Sequence, residues 1–117
     1  MISQRACLRA FDEASYDELD RHVRRYAANR ALLDGLPRLG LDRLAPADGA
    51  FYVYADIGHL TGDSMAWARD LLARTGVALA SGVDFDTDAG GRFARLSAAG
   101  DTAEVAEALR RLAGFLG

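Results

Sequence analysis

The sequence predicts an α+β fold in which helices cover one face of a small, mostly antiparallel three-stranded sheet. One observation is length: 117 residues, half of them hydrophobic, are enough for one domain with a substantial core. Another is the order of the hydrophobic patterns, αα-β-α-β-β-α, which places three short strand-like runs among helix-like stretches. No linker, internal repeat or low-complexity tract interrupts this order, so residues 1–117 are expected to form a single domain.

Two helices are predicted at the N-terminus. Residues 2–14 have only a loose apolar stripe and no capping residue ahead of them, so this helix is expected to be the end of a longer one. Ser15 and Glu18 have the spacing of a capping box, which predicts that the second helix begins there and runs to about Leu36. Pro37 and Gly40 are expected to end it. The predicted apolar stripe of this helix comprises Leu19, Val23, Tyr26, Ala27, Leu33 and Leu36.

The middle of the chain predicts the first strand and a third helix. Residues 51–56 are rich in aromatic and β-branched side chains with both faces apolar, which favours a central strand. Asp63 or Thr61 is expected to cap the following helix, and Gly76 to end it. The inward side of this helix is expected to carry Met65, Ala68, Leu71 and Leu72.

The remainder predicts two strands and a last helix. The strands are residues 77–80 and 92–98, separated by a polar loop, 81–91, whose Gly90-Gly91 pair offers the backbone freedom for a tight reversal. Asp101, with Glu104 three residues later, predicts the start of the last helix. That helix is expected to bury Val105, Ala108, Leu109, Leu112 and Phe115.

Composition excludes several classes of function. The net charge of -3 argues against a nucleic-acid-binding surface, which would need a basic excess. The single cysteine, Cys7, cannot form an internal disulfide and fits a reducing compartment. The N-terminus lacks a signal-peptide pattern, and no apolar run approaches the roughly 20 residues that span a bilayer. We therefore expect a cytoplasmic protein.

Arg95 is the candidate binding residue. Alternation along the last strand places Phe93, Arg95 and Ser97 on one face, and the small apolar residues between them on the face toward the helices. A partly buried guanidinium costs free energy unless an anion meets it. A bound carboxylate, held by two parallel hydrogen bonds, is one interpretation. The others are an ion pair within the chain or simple solvation, and the possible partners are Asp84, Asp86 and Asp88.

The other candidate sites fail on spacing. Counted from Asp84, a calcium loop would need glycine and glutamate where Ala89 and Arg95 stand. The two histidines and Cys7 lack metal-ligand spacing. A Ser64, His59 and Asp56 triad lacks the Gly-x-Ser-x-Gly turn. The basic cluster of residues 21–25 is interpreted as a solvated helix face.

All fourteen positive residues are arginines, so no lysine is available for Schiff-base chemistry. We expect no catalytic residue, metal site or cofactor site on this chain.

Six segments in order nevertheless resemble a known family, the C-terminal small domain of class I/II (fold type I) pyridoxal-phosphate-dependent aminotransferases. The segments cover essentially the whole chain and are Tyr26-x-x-Asn29-Arg30-x-x-Leu33, Gly49-Ala50-Phe51-Tyr52-Val53-Tyr54, Asp63-Ser64, Gly76-Val77-Ala78, Ser81-Gly82-x-Asp84-Phe85 and Arg95-Leu96-Ser97-x-Ala99.

The resemblance implies that Arg95 binds the α-carboxylate of an amino-acid or 2-oxo-acid substrate. Arg92, on the same strand but out of phase with Arg95, is the alternative for that role. The family usually has Pro-Gly where this chain has Ser81-Gly82, a departure that can loosen the loop beside the substrate.

The resemblance further implies that pyridoxal 5'-phosphate and its lysine belong to a large domain upstream of Met1. These 117 residues alone are then expected to be inactive, and the parent enzyme to be a homodimer in which this movable domain closes over the substrate. A stand-alone α+β ligand-binding or interaction module stays open as an alternative. So does another fold type I reaction, such as that of a lyase, decarboxylase or acyl-transferring synthase.

Overall fold

The computed structural model describes all residues from Met1 to Gly117 and contains four α-helices and three strands. Short 3-10 turns cover Leu36–Leu39, Gly82–Asp84 and Gly90–Arg92. The elements are α1 (Ile2–Arg9), α2 (Glu13–Leu33), β1 (Tyr52–Asp56), α3 (Ser64–Thr75), β2 (Ala80–Ser81), β3 (Phe93–Ser97) and α4 (Thr102–Leu116). The predicted α+β class and element order are confirmed.

The sheet has the strand order β1-β3-β2, with both pairs antiparallel. The prediction that the first strand is central is therefore wrong, because β3 pairs on both sides and β1 does not. The outer edge of β1 is instead covered by an extended segment, in which Ala45 N donates to Tyr54 O at 2.9 Å and Asp56 N donates to Arg43 O at 2.8 Å. In register, Arg95 lies between Tyr54 of β1 and Ala80 of β2, at the centre of the sheet.

One face of the sheet packs on the helices and forms the core. Val53, Ala55, Ala94 and Leu96 point to this side and are at most 9% exposed. Removing these apolar side chains from water supplies the main stabilisation of the sheet against the helices. The same buried cluster also contains Leu33, Leu36, Leu41, Ile57, Leu71, Ala98, Val105 and Leu112.

The boundaries of α2 differ from the prediction at both ends. The helix begins at Glu13, so Ser15 lies inside it, and the Ser15 hydroxyl donates to Arg9 O at 2.7 Å instead of capping. The helix ends at Leu33. Pro37 lies in a separate 3-10 turn, Leu36–Leu39, which Gly40 ends with φ 84°.

Only part of the predicted stripe of α2 is buried. Leu33 and Leu36 are in the core, whereas Leu19 and Val23 are 55% and 62% exposed. The reason is that the first turns of α2, like all of α1, pack against little else in the chain, and α1 has no buried residue. The large exposed apolar side chains of α1, α2 and the turn between them are Ile2, Leu8, Phe11, Tyr16, Leu19, Val23 and Leu32.

The caps of the later helices are confirmed. The Asp63 carboxylate accepts from Ala66 N, and the Asp101 carboxylate accepts from Ala103 N, each at 2.9 Å. Gly76 ends α3 with φ 73°, in the left-handed region that favours glycine. Leu72, expected in the core, is 48% exposed on α3. None of the helices is both long and apolar enough to cross a membrane.

The strand predicted at residues 77–80 is shorter in the structure. Only Ala80–Ser81 pairs with β3, because the chain leaves α3 through the Gly76 turn and reaches the sheet late. The loop after it is not irregular throughout, since two of the 3-10 turns lie within residues 82–92.

Candidate functional site

Arg95 lies on the open face of the sheet. The residues on either side of it, Ala94 and Leu96, are buried against the helices, whereas Arg95 itself is half-buried on the opposite face. The alternation predicted for β3 therefore holds. A side chain in this register projects from the middle of the most constrained strand, so its base is held by backbone hydrogen bonds on both sides.

Two aromatic rings hold the Arg95 guanidinium. Its central carbon is 4.0 Å from the centroid of the Tyr52 ring and 4.1 Å from that of the Phe85 ring. Both distances are well inside the range of cation–π attraction. None of the ion pairs and side-chain hydrogen bonds of the protein involves Arg95, so its five N–H donors are free for an anion.

In the acidic loop beside this site, the Asp86 carboxylate bonds to backbone N–H groups of the same loop. One oxygen of Asp86 accepts hydrogen bonds from Asp88 N at 2.9 Å and Ala89 N at 3.1 Å, which closes the turn. Burial, and secondly the charge of Asp86, raise the pKa of Tyr54 above its ordinary value. The ion pair of Arg95 with Asp84, Asp86 or Asp88, one of the open interpretations, is absent.

Arg92 has a different environment. Its guanidinium binds both oxygens of Asp56, with Nε–Oδ1 at 3.2 Å and Nη2–Oδ2 at 2.5 Å. This contact, together with the hydrogen bond from Gly58 N, lowers the pKa of Asp56 and keeps it ionised. Arg92 thus ties the end of β1 to the start of β3, and its guanidinium is already paired with a carboxylate of the chain.

The loop that carries Phe85 is fixed by two buried serines. The hydroxyls of Ser64 and Ser81 are 2.7 Å apart, and the Ser64 hydroxyl donates to Gly90 O at 2.8 Å. Here the start of α3 meets the end of β2, two segments that the sequence places 17 residues apart. Sequence reasoning missed this pair, although a serine at position 81, where the resemblance leads one to expect proline, was a usable signal.

The same loop depends on two glycines. A side chain on Gly82 would collide with Gly90 O and would lie 2.7 Å from Phe93 Cβ. Gly90 in turn faces the backbone of Gly82 and Val83 at about the same closeness. Neither Gly90 nor Gly91 has a positive φ, so the expected need for backbone freedom is wrong. The requirement is the close approach of two backbones.

Asn29 fastens the other end of β3. It is fully buried, and its amide group donates to Ala98 O at 2.8 Å and Gly100 O at 2.9 Å. These bonds join α2 to the residues that follow the strand, and nothing in the sequence pattern apart from the resemblance indicated them. They satisfy carbonyl groups that no strand or helix partner reaches.

The remaining candidates do not form a site. The Ser64 hydroxyl is buried and engaged, His59 contacts Gly40 O at 2.8 Å, and Asp56 is paired with Arg92, so no triad is assembled. His22 lies 3.6 Å from Glu18 on the exposed side of α2. No group of histidine, cysteine, aspartate and glutamate side chains has the geometry of a metal centre.

The donor set fits a carboxylate and does not fit pyridoxal phosphate. The chain has no lysine to form an imine with the cofactor. The free cation of the open face is a single guanidinium between two rings, suited to one planar anion. This guanidinium is therefore the group of the open face that is available to an anion.

The fold is that of the aminotransferase C-terminal domain. A crystal structure of an aminotransferase from Mycobacterium tuberculosis superposes with a TM-score of 0.94 at 54% identity, covering 97% of this chain and 30% of that one. The chain is 53% identical to valine–pyruvate aminotransferase from the same organism, over 99% of its own length. It is 32% identical to (5-formylfuran-3-yl)methyl phosphate transaminase from Methanocaldococcus jannaschii, over 98% of its length. No family model matches the chain.

The chain spans 30% of the length of each of these two relatives. The resemblance predicted from the six segments is confirmed: the chain corresponds to the C-terminal small domain of fold type I aminotransferases.

Proposed function

We propose that these residues form the small domain of an enzyme that transfers an amino group between an amino acid and a 2-oxo acid, and that Arg95 binds the substrate α-carboxylate. The observation that carries the second part is the free guanidinium on the open face of the sheet. The first part is supported by the transaminase names of both relatives.

The geometry around Arg95 suits recognition of a planar acid. A guanidinium and a carboxylate can form two parallel, charge-assisted hydrogen bonds, which fix the orientation of the substrate as well as its position. Because Arg95 lies on the central strand, its backbone is held by strand pairing on both sides. Holding the carboxylate in this way would align the α-carbon with a reactive group supplied from elsewhere.

That reactive group must come from outside these 117 residues. In enzymes of this class, pyridoxal phosphate supplies the electron sink for chemistry at the α-carbon. We place the cofactor, its lysine and the phosphate-binding residues in a large domain in the rest of the protein. A homodimer and a cytoplasmic location are predictions of the same kind.

The exposed stripe on α1 and α2 supports a neighbouring domain. Leu19 and Val23 on α2, and Phe11 in the turn before it, are each more than half exposed, and α1 has no buried residue. Several exposed large apolar side chains on neighbouring segments are typical of a surface that another part of the protein covers.

The direct test is substitution of Arg95 in the full-length protein. Arg95→Lys keeps the charge but loses the two-pronged geometry, and Arg95→Leu removes both. We expect KM for the amino-acid substrate to rise about 10- to 100-fold, the range given by a lost charged hydrogen bond. Arg38→Lys, at an exposed arginine in a 3-10 turn, is the matched control. Unchanged KM in both Arg95 variants would remove Arg95 from the site.

A further inference from the structure

We infer that Tyr52 and Phe85 form an aromatic clamp that sets the direction in which the Arg95 guanidinium faces its ligand. The two rings are positioning residues, acting through Arg95 rather than on the reacting atoms. This inference rests on the proposed function and adds to it two residues and a physical reason for the orientation of the receptor.

Neither ring is needed for the hydrophobic core. Tyr52 is 38% exposed and Phe85 is 52% exposed, and neither belongs to the buried cluster. Phe85 lies in a polar loop, where a large apolar side chain loses the benefit of burial. The contact that both rings share is the Arg95 guanidinium, at 4.0 and 4.1 Å.

The clamp constrains the guanidinium because the group is flat. An aromatic ring that stacks on a guanidinium covers a face of its plane, whereas all five N–H donors lie in the plane and point outward from its edge. Rings against the guanidinium therefore exclude water and ligands from its faces and leave the edge for a carboxylate. They also reduce the number of rotamers open to a long, flexible side chain.

The rings come from elements that are themselves fixed. Tyr52 is on β1, paired with Ser97, two residues beyond Arg95 on β3, so it is a diagonal neighbour on the same face of the sheet. Phe85 is next to the 3-10 turn that the serine pair and the Gly82–Gly90 approach hold in place. The clamp thus links Arg95 to the edge strand on one side and to the loop on the other.

The test uses the full-length holoenzyme with Phe85→Leu and Tyr52→Leu. Each substitution keeps an apolar side chain of moderate size but removes the ring. We expect KM for the amino-acid substrate to rise about fivefold in each variant, the size of one partly exposed cation–π contact. The kcat value should change less than about twofold, because the reacting atoms are untouched.

Matched variants separate the ring from its substituents. Tyr52→Phe and Phe85→Tyr keep both rings, and their KM should stay within about twofold of the parent value. An equal loss in Tyr52→Phe and Tyr52→Leu would overturn the clamp at Tyr52, because the hydroxyl would then carry the effect. A fall in kcat with unchanged KM would overturn it as well.

A double-mutant cycle distinguishes failure of the clamp from failure of the proposed function. In an Arg95→Leu background the ring has no guanidinium to position, so Phe85→Leu should add no further rise in KM. If Arg95→Leu itself leaves KM unchanged, the proposed function is wrong. If Arg95→Leu raises KM but the ring variants behave like the parent enzyme, only the clamp is wrong. A fivefold effect of Phe85→Leu that persists without Arg95 also overturns the clamp.

Discussion

Two arginines three residues apart, Arg92 and Arg95, have opposite environments. Arg92 is bound by both oxygens of Asp56, whereas Arg95, three residues later, contacts two rings and no carboxylate. Strand alternation predicted which face of the sheet Arg95 occupies. The pairing of Arg92 with Asp56 could not be predicted in the same way, because it joins residues 36 positions apart through the β1–β3 register.

Residue-scale electrostatics also predict an acid-sensitive tie between α3 and α4. Hydrogen bonds from Arg110, and secondly from Arg111, lower the pKa of Glu107 from its ordinary value of 4.5 to about 2. Arg111 in turn donates to Thr75 O at 3.1 Å, at the end of α3.

A carboxyl group whose pKa is lower in the folded state stabilises that state when ionised. The contribution of Glu107 is therefore complete above about pH 5 and is lost as the pH falls from 4.5 toward 2. We expect the stability difference between the parent protein and Glu107→Gln to be constant from pH 7 to about 5 and to shrink below it. Urea unfolding at several pH values measures this. A difference independent of pH down to 2.5 would contradict it. Glu104→Gln, on the same helix, is the control.

At the scale of elements, the starts of α3 and α4 and the end of α3 were predictable, whereas the ends of α1 and α2 were not. Asp63, Asp101 and Gly76 act where the capping patterns placed them, because each cap depends on a few neighbouring residues. The strand order was not predictable from pattern alone. Residues 51–56 are apolar on both faces, which favoured a central strand, but β1 lies at the edge of the sheet. Its face away from the core carries Tyr52, whose ring lies against the Arg95 guanidinium.

The site was predictable only where it is local. Alternation and the Arg-Leu-Ser segment indicated Arg95. The contacts of Tyr52 and Phe85 with Arg95, and the Ser64–Ser81 hydrogen bond that holds the loop of Phe85, join residues distant in the sequence and were not predictable. The boundaries of α2 were mispredicted for a related reason. Ser15 and Glu18 have capping spacing, but the turn at residues 10–12 starts the helix earlier and leaves the Ser15 hydroxyl to bond Arg9 O.

The loop that carries Phe85 gives an element-scale prediction. Gly82→Ala places a methyl group against Gly90 O and Phe93 Cβ, and overpacking of this kind costs about 1–3 kcal/mol of unfolding free energy. Chemical denaturation of the purified protein measures the loss. Gly49→Ala is the matched control, because a methyl group there meets nothing within 4 Å. Equal stability of the two variants would show that the Gly82–Gly90 approach is not constrained.

At the scale of the whole molecule, the chain has two surfaces that are incomplete by themselves. One is the open face of the sheet, with a free guanidinium and no reactive amine. The other is the set of exposed apolar side chains on α1, α2 and the turn between them. Both are explained if the larger domain that we propose packs on the helices and faces Arg95.

The most direct measurement is a crystal structure of the full-length protein with a 2-oxo acid bound. We predict that both carboxylate oxygens lie about 2.7–2.9 Å from guanidinium nitrogens of Arg95, with the Tyr52 and Phe85 rings still against its faces. A bound acid whose carboxylate meets other residues, with Arg95 free or paired to an aspartate of this chain, would contradict the assignment of Arg95 as the receptor.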